Sequence, residues 1–243
     1  MNDTYPEEMP GLIGAENEEI IRISMKDISG RNMYCTDEAF EEIRGRLSEI
    51  PSPESGIHFI DTGNYHYMSR IYTSFINVKY DLILFDNHTD MQQAGFGDIL
   101  SCGSWAREAL DKDENLSSLF VYGPSAFEEG GAECTLSAGG KEITGMTYRG
   151  KGYEEGSHPI YLSVDKDILD DSYCVTNWDQ GSLSLNELCG LIETAVAERS
   201  IIGADICGGI SESDPGCTGD VLRENTSSDS KLYKTISKLI EGK

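Results

Sequence analysis

The chain has 243 residues, with 19 Lys and Arg set against 43 Asp and Glu, a formal net charge of −24. That length suits one domain with a substantial core, and 38% hydrophobic with 9% aromatic residues marks a globular chain rather than a disordered one. The balance argues against nucleic acid or an anionic membrane as partner, because both are bound through Lys/Arg patches that this composition scarcely supplies; it permits cations, and composition by itself reads first as solubility.

The opening MNDTYPEEMPGLIG lacks the basic and apolar regions of a secretory leader, and no run of about 18 apolar residues exists to span a bilayer. Seven cysteines, odd in number and without a C-x-x-C pair, read as reduced thiols, so the expected location is cytoplasmic.

Residues 1–19 hold six acidic and no basic residues and read as an acidic lead-in; residues 20–243 read as one domain, without an internal repeat or a dividing linker. In chain order, Phe40, Ile43, Leu47 and Ile50 form a helical stripe behind Asp37 and Glu38, which suit a first turn. A short apolar run, HFI (58–60), follows, then a second stripe of Met68, Ile71, Tyr72, Phe75 and Ile76. Further runs are LILF (82–85) and LFVY (119–122). Residues 123–157, with nine glycines, predict loops, at most with a hairpin. IYLSV (160–164) is followed by a helix of Leu188, Leu191, Ile192 and Ala195, opened by a Ser184/Glu187 capping box. IIGA (201–204) precedes a closing helix of Leu232, Ile236, Leu239 and Ile240. Continuous apolar runs this short suit parallel strands covered on both faces, so the fold class is α/β: a three-layer αβα domain with a mostly parallel sheet.

Metal-competent residues stand just past three of these strands. HFI leads to Asp61-Thr62-Gly63-Asn64-Tyr65-His66, LILF to Asp86-Asn87-His88-Thr89-Asp90, and IYLSV to Asp165-Lys166-Asp167. Ligands of open α/β sheets bind beyond the strands' carboxyl ends, so the three segments are expected to converge. Alternation in an extended chain would let Asp86, His88 and Asp90 point together, and Asp165 with Asp167. Four carboxylates and two imidazoles so placed call for cations, and two divalent ions would balance the four carboxylates. Oxygen donors with imidazole favour Mn²⁺, with Fe²⁺, Co²⁺ or Zn²⁺ as alternatives. A water between two such ions is acidified into a hydroxide nucleophile, which indicates hydrolysis.

Here the sequence resembles the arginase-like metallohydrolases, or ureohydrolases. Members carry a glycine-rich segment ending in histidine, then D-A-H-x-D, then S-x-D-x-D-x-x-D-P. This chain has Gly63-Asn64-Tyr65-His66, Asp86-Asn87-His88-Thr89-Asp90 and Ser163-Val164-Asp165-Lys166-Asp167-Ile168-Leu169-Asp170. The likeness continues through Trp178-Asp179-Gln180-Gly181 to Asp205-Ile206-Cys207, the counterpart of a D-I-x-E strand end, and spans about residues 56–210. The resemblance implies an arginase-like fold with His66, Asp86, Asp90 and Asp165 on one Mn²⁺ and His88, Asp86, Asp165 and Asp167 on the other. Asp86 and Asp165 would bridge. The bridging hydroxide, oriented by Asp90 as the catalytic residue, would attack a guanidinium carbon to release urea and an amine.

Departures from the family are equally specific. The segment that carries a histidine proton shuttle in arginases, S-G-N-x-H-G, corresponds here to Ser101-Cys102-Gly103-Ser104-Trp105, with tryptophan at the histidine position. His58 and His158 are the other histidines. The glutamate of D-I-x-E is replaced by Gly208-Gly209, leaving Glu212 or Asp214 as substitutes. These differences resemble a divergent branch that includes peptide arginases, so the implied partner is a cationic guanidino substrate, either an arginine within a peptide or a small guanidine. Trp105 and Trp178 are candidate walls for a long cationic side chain, with core packing as the alternative for each, and Asp179 is a candidate partner of its charge, with a solvated turn as the alternative. A homo-oligomer is compatible with the sequence. Two other readings stand beside this one: an amide-cleaving, deacetylase-like enzyme on the same fold, and a metal-binding protein whose catalysis has decayed.

Overall fold

The computed structural model describes residues 21–95 and 97–242. The acidic lead-in at 1–19 lies outside them. The chain runs through β1 (Tyr34–Cys35), α1 (Asp37–Leu47), β2 (Gly56–Phe59), α2 (Met68–Thr73), β3 (Tyr80–Phe85), β4 (Leu100–Ser101), α3 (Trp105–Lys112) and β5 (Leu116–Tyr122). It continues through β6 (Ala132–Ala138), β7 (Lys141–Arg149), β8 (Ile160–Asp165), α4 (Leu185–Val196), β9 (Ile201–Cys207) and α5 (Gly219–Glu241). Seven strands form one sheet in the order β2-β9-β8-β3-β5-β7-β6. The first five are mutually parallel, and β7 and β6 add an antiparallel edge.

Every residue of β3 and of β8 is buried, which is why both read as unbroken apolar runs. Along β3 the side chains alternate between layers. Leu82 and Leu84 join a core with α1, α2 and α3, while Ile83 and Phe85 join a second core with α4 and α5. This is the expected αβα sandwich. The helices begin as their sequences indicate: Thr36 caps α1 by accepting from the Ala39 amide, and Ser184 with Glu187 forms the capping box of α4.

Within the glycine-rich 123–157 stretch, residues 132–149 form the hairpin that its sequence allowed, β6–β7, turning on Gly139-Gly140, where φ is +57° and +86°. Two consecutive positive φ values define a type I′ turn, which glycine adopts without strain. The structure departs from expectation at α3, a helix of eight residues with a narrow buried stripe of Trp105, Ala106 and Ala109. No helix of the described residues is long and apolar enough to cross a membrane.

Candidate metal centre

Strands β8 and β3 are neighbours, paired Val164 with Phe85, so Asp165 and Asp86 leave the sheet side by side. His66 arrives from the β2 side through a single 3₁₀ turn at Gly63–Tyr65. The motif residues converge by turns rather than by extended alternation. The side chain of Asp86 accepts from the His88 amide through Oδ1 at 2.6 Å, and Asp165 Oδ1 accepts from the Asp167 amide at 2.9 Å. Asp167 itself sits on a 3₁₀ turn, and Asp90 has φ of +49°. The expected grouping holds; the expected strand geometry does not, because short side-chain-to-amide bonds curl each segment inward.

His66 Nδ1 lies 2.9 Å from Asp90 Oδ2, 3.2 Å from Asp86 Oδ2 and 3.4 Å from Asp165 Oδ2. Beside it, His88 Nδ1 lies 2.8 Å from Asp167 Oδ2 and 3.5 Å from Asp86 Oδ1. Asp86 therefore turns one oxygen to each imidazole. Adjacent ligands on an octahedral ion with bonds near 2.0–2.1 Å stand about 3 Å apart, so both donor sets have spacings that suit a divalent cation. All of these carboxylates and His66 are buried, and His88 is partly exposed. Cys207 Sγ also lies close to His66 and Asp165, a soft donor that sequence reasoning did not place at the centre.

The tautomer of His66 follows from its other nitrogen. Ser163 Oγ donates to the buried Asp205 at 2.7 Å and so accepts from His66 Nε2 at 2.9 Å, which leaves the Nδ1 lone pair facing the carboxylates. Burial disfavours charge on His66, but Asp86 and Asp90 outweigh it and raise its pKa. Asp167 and then Asp86 raise that of His88 to about 11, against opposition from burial. Burial first, then neighbouring carboxylates, raise Asp165 and Asp167. Without cations the cluster holds protons; divalent cations would take their place.

The cluster floors a cavity of about 180 Å³ whose walls include Met33, Tyr34, Gln92, Cys102 and Trp178. Trp178 meets His88 edge-on at 5.7 Å and donates from Nε1 to Asn64 at 3.1 Å. Trp105 is not a wall. It is fully buried behind the ligands, its Nε1 donating to Asp90 Oδ2 at 2.5 Å. Of the Ser101–Trp105 segment, Ser101, Cys102 and Gly103 line the cavity, and Cys102 is the one that brings a titratable side chain. Burial pushes its thiol up to about 11. Asp179 is exposed and outside the lining; its carbonyl accepts from Asn87 Nδ2. His58 is stacked on Tyr72 and His158 bonds the Glu154 carbonyl, both away from the cavity. Glu212 and Asp214 do not line it either, and Asp214 is used in a turn with Ser211. Met33 and Tyr34 reach the cavity through the two-residue pairing of β1 with β4, too short to leave a sequence signal.

At Gly208, where the family has glutamate, φ is +84° and a Cβ would lie 2.2 Å from Asp165 Oδ1. No side chain fits at this position without displacing Asp165.

An αβα sheet with a paired Asp/His cluster at its strand ends, spaced to hold divalent cations, defines the class of protein. The chain belongs to the arginase family, whose sequence pattern matches residues 23–216. It is 33% identical over 190 residues to an uncharacterized protein of Thermotoga maritima, covering 78% of this chain and 70% of that one. Among solved structures it is similar in fold to a proclavaminate amidino hydrolase from Streptomyces clavuligerus, with a TM-score of 0.54 at 15% identity over 82% of this chain and 71% of that one. A hypothetical agmatinase from Burkholderia thailandensis gives 0.56 at 16% over 83% and 66%. A T. brucei arginase-like protein, a triple mutant bound with Mn²⁺, gives 0.55 at 14% over 88% and 71%.

Proposed function

We propose that the protein is a binuclear, Mn²⁺-dependent hydrolase that cleaves a guanidino group to urea and an amine. The observation that carries this reading is Asp86, with Oδ2 3.2 Å from one ligand imidazole and Oδ1 3.5 Å from the other. His66, Asp90, Asp165 and Asp86 would hold one ion, and His88, Asp167, Asp86 and Asp165 the second. When bound, such a pair supplies a hydroxide nucleophile near neutral pH and stabilises charge that develops on the attacked group.

The chain's own residues account for the rest. Asp90 orients the attacking water by accepting its proton in a hydrogen bond. Ser163 and Asp205 hold the His66 ring in the ligating tautomer. Trp178 presents an aromatic wall beside His88, suited to a flat guanidinium. The substrate we favour is an arginine side chain within a peptide, or a small guanidine, because the family's contacts to free arginine are not recognisable in the sequence. The acidic surface would draw such a cation toward the cavity at low salt.

The test is urea release from arginine-containing peptides and a panel of guanidines, with and without added Mn²⁺. Release that requires Mn²⁺ and is abolished in Asp90→Asn is expected. A Mn²⁺-loaded protein that frees urea from none of these substrates overturns the reading.

A further inference from the structure

We infer that Trp105 is a positioning residue: the first turn of α3 fixes Asp90 by its indole N–H and two backbone amides, and thereby sets the geometry of the His66 half of the centre. This inference rests on the metal-site reading above and concerns a residue that makes no contact with the cavity.

Asp90 is held from two directions. Its carbonyl accepts from the amides of Ala106 at 3.1 Å and Arg107 at 3.3 Å, and its side-chain Oδ2 accepts from Trp105 Nε1 at 2.5 Å. All three donors belong to one turn of helix. The backbone they grip is in the left-handed region, with φ of +49°, a conformation that aspartate tolerates better than most non-glycine residues and that these bonds hold in place. The oxygen that Trp105 contacts is the one 2.9 Å from His66 Nδ1. The same indole ring packs 4.9 Å from the His66 ring at an angle of 51°. One side chain thus sets both ligands of the pair.

The chemistry of the donor matters. An indole N–H can only donate and carries no charge. It occupies one lone pair of the carboxylate and leaves the negative charge intact for a cation, which a lysine or arginine there would neutralise. If the position needed only apolar volume, phenylalanine would serve equally. The N–H aimed at a buried carboxylate is what distinguishes positioning from filling.

The chain has two tryptophans, Trp105 against His66 and Trp178 against His88, so each half of the centre has its own reporter. In the full-length Trp105→Phe protein, Mn²⁺ titration followed by calorimetry and by Trp178 fluorescence is expected to show one ion weakened about 10–100-fold, with the His88-side ion retained. In an Asp90→Ala background the Trp105→Phe change is expected to add no further loss. In Trp178→Phe, the single indole N–H resonance is expected to exchange slowly with solvent and to shift on adding Zn²⁺. A folded Trp105→Phe that binds both ions as tightly as the wild type overturns the inference. Should Trp105→Phe fail to fold, an indole resonance of Trp178→Phe that exchanges freely and ignores Zn²⁺ overturns it. A wild type that takes up no divalent ion overturns the metal-site reading, and this inference with it.

Discussion

Replacing Gly208 with alanine tests the centre at its tightest backbone contact. At φ of +84° an L side chain is strained, which costs about 1–2 kcal/mol. The added Cβ would stand 2.2 Å from Asp165 Oδ1 and 2.9 Å from the Lys166 amide nitrogen. Real Cβ contacts do not fall below 3.0 Å, so the carboxylate must retreat by at least about 0.8 Å. That movement breaks the bond Oδ1 accepts from the Asp167 amide at 2.9 Å, which costs about 1–3 kcal/mol by leaving a buried amide unpaired. The combined loss of about 2–5 kcal/mol is a large share of the ~5–15 kcal/mol typical of a folded domain and corresponds to a fall in Tm of roughly 10 °C. Because Asp165 Oδ2 also points at His66, the displaced carboxylate should weaken metal uptake as well. Circular-dichroism melts and metal analysis of Gly208→Ala check both effects. A variant that melts within about 2 °C of the wild type and holds the same metal would refute the reasoning. Gly208→Glu, which restores the family's residue, is expected to be worse still rather than to confer activity on free arginine.

Lys166 lies between the two motif aspartates yet turns away from them to pair with Asp229 of α5 at 2.6 Å, both side chains 1% exposed. Lys166→Met should cost about 3–5 kcal/mol in urea unfolding by leaving Asp229 charged and buried, and Lys166→Met/Asp229→Leu should recover most of it; equal stabilities of the two variants would count against this. Raised pKa values of His66 and His88 mean that the folded, metal-free protein holds their protons more tightly than the unfolded chain. Their stabilisation is therefore full below about pH 6.5 and is lost as pH rises through the folded values, about 11 for His88. Ionising Asp165 and Asp167, whose pKa values are also raised, likewise destabilises the metal-free fold as pH rises. Divalent ions replace those protons, so the rise in Tm on adding Mn²⁺ should grow between about pH 6 and 8, and a pH-independent rise would contradict the proton-holding cluster. Trp178→Leu should keep both ions while raising KM for a guanidine roughly 2–30-fold, as expected for loss of a cation–π contact of ~0.5–2 kcal/mol; weaker metal binding with unchanged KM would assign Trp178 a different task.

Much of this protein was legible from local sequence alone. Continuous apolar runs point to the five parallel strands, most clearly to β3 and β8, because strands covered on both faces have no polar side to alternate with. The polar residues immediately after three of them supplied the ligand set, because a parallel sheet delivers its strand ends to one edge. Local pattern could not show the direction of single side chains. Asp165, Lys166 and Asp167 are consecutive, yet the 3₁₀ turn sends the carboxylates to the centre and the ammonium to α5. Nor could it show which of two tryptophans faces the cavity. Trp105 is a candidate wall by its place at the family's histidine position, but the turn of α3 that donates to Asp90 sets its ring behind the ligands, while Trp178 stands at the front. The identity of the donors was determined by the sequence, since chemistry resides in residue type. Their spacing, their tautomer and the exclusion of a side chain at Gly208 were decided by the tertiary structure, because each depends on atoms far apart in the chain brought within bonding distance.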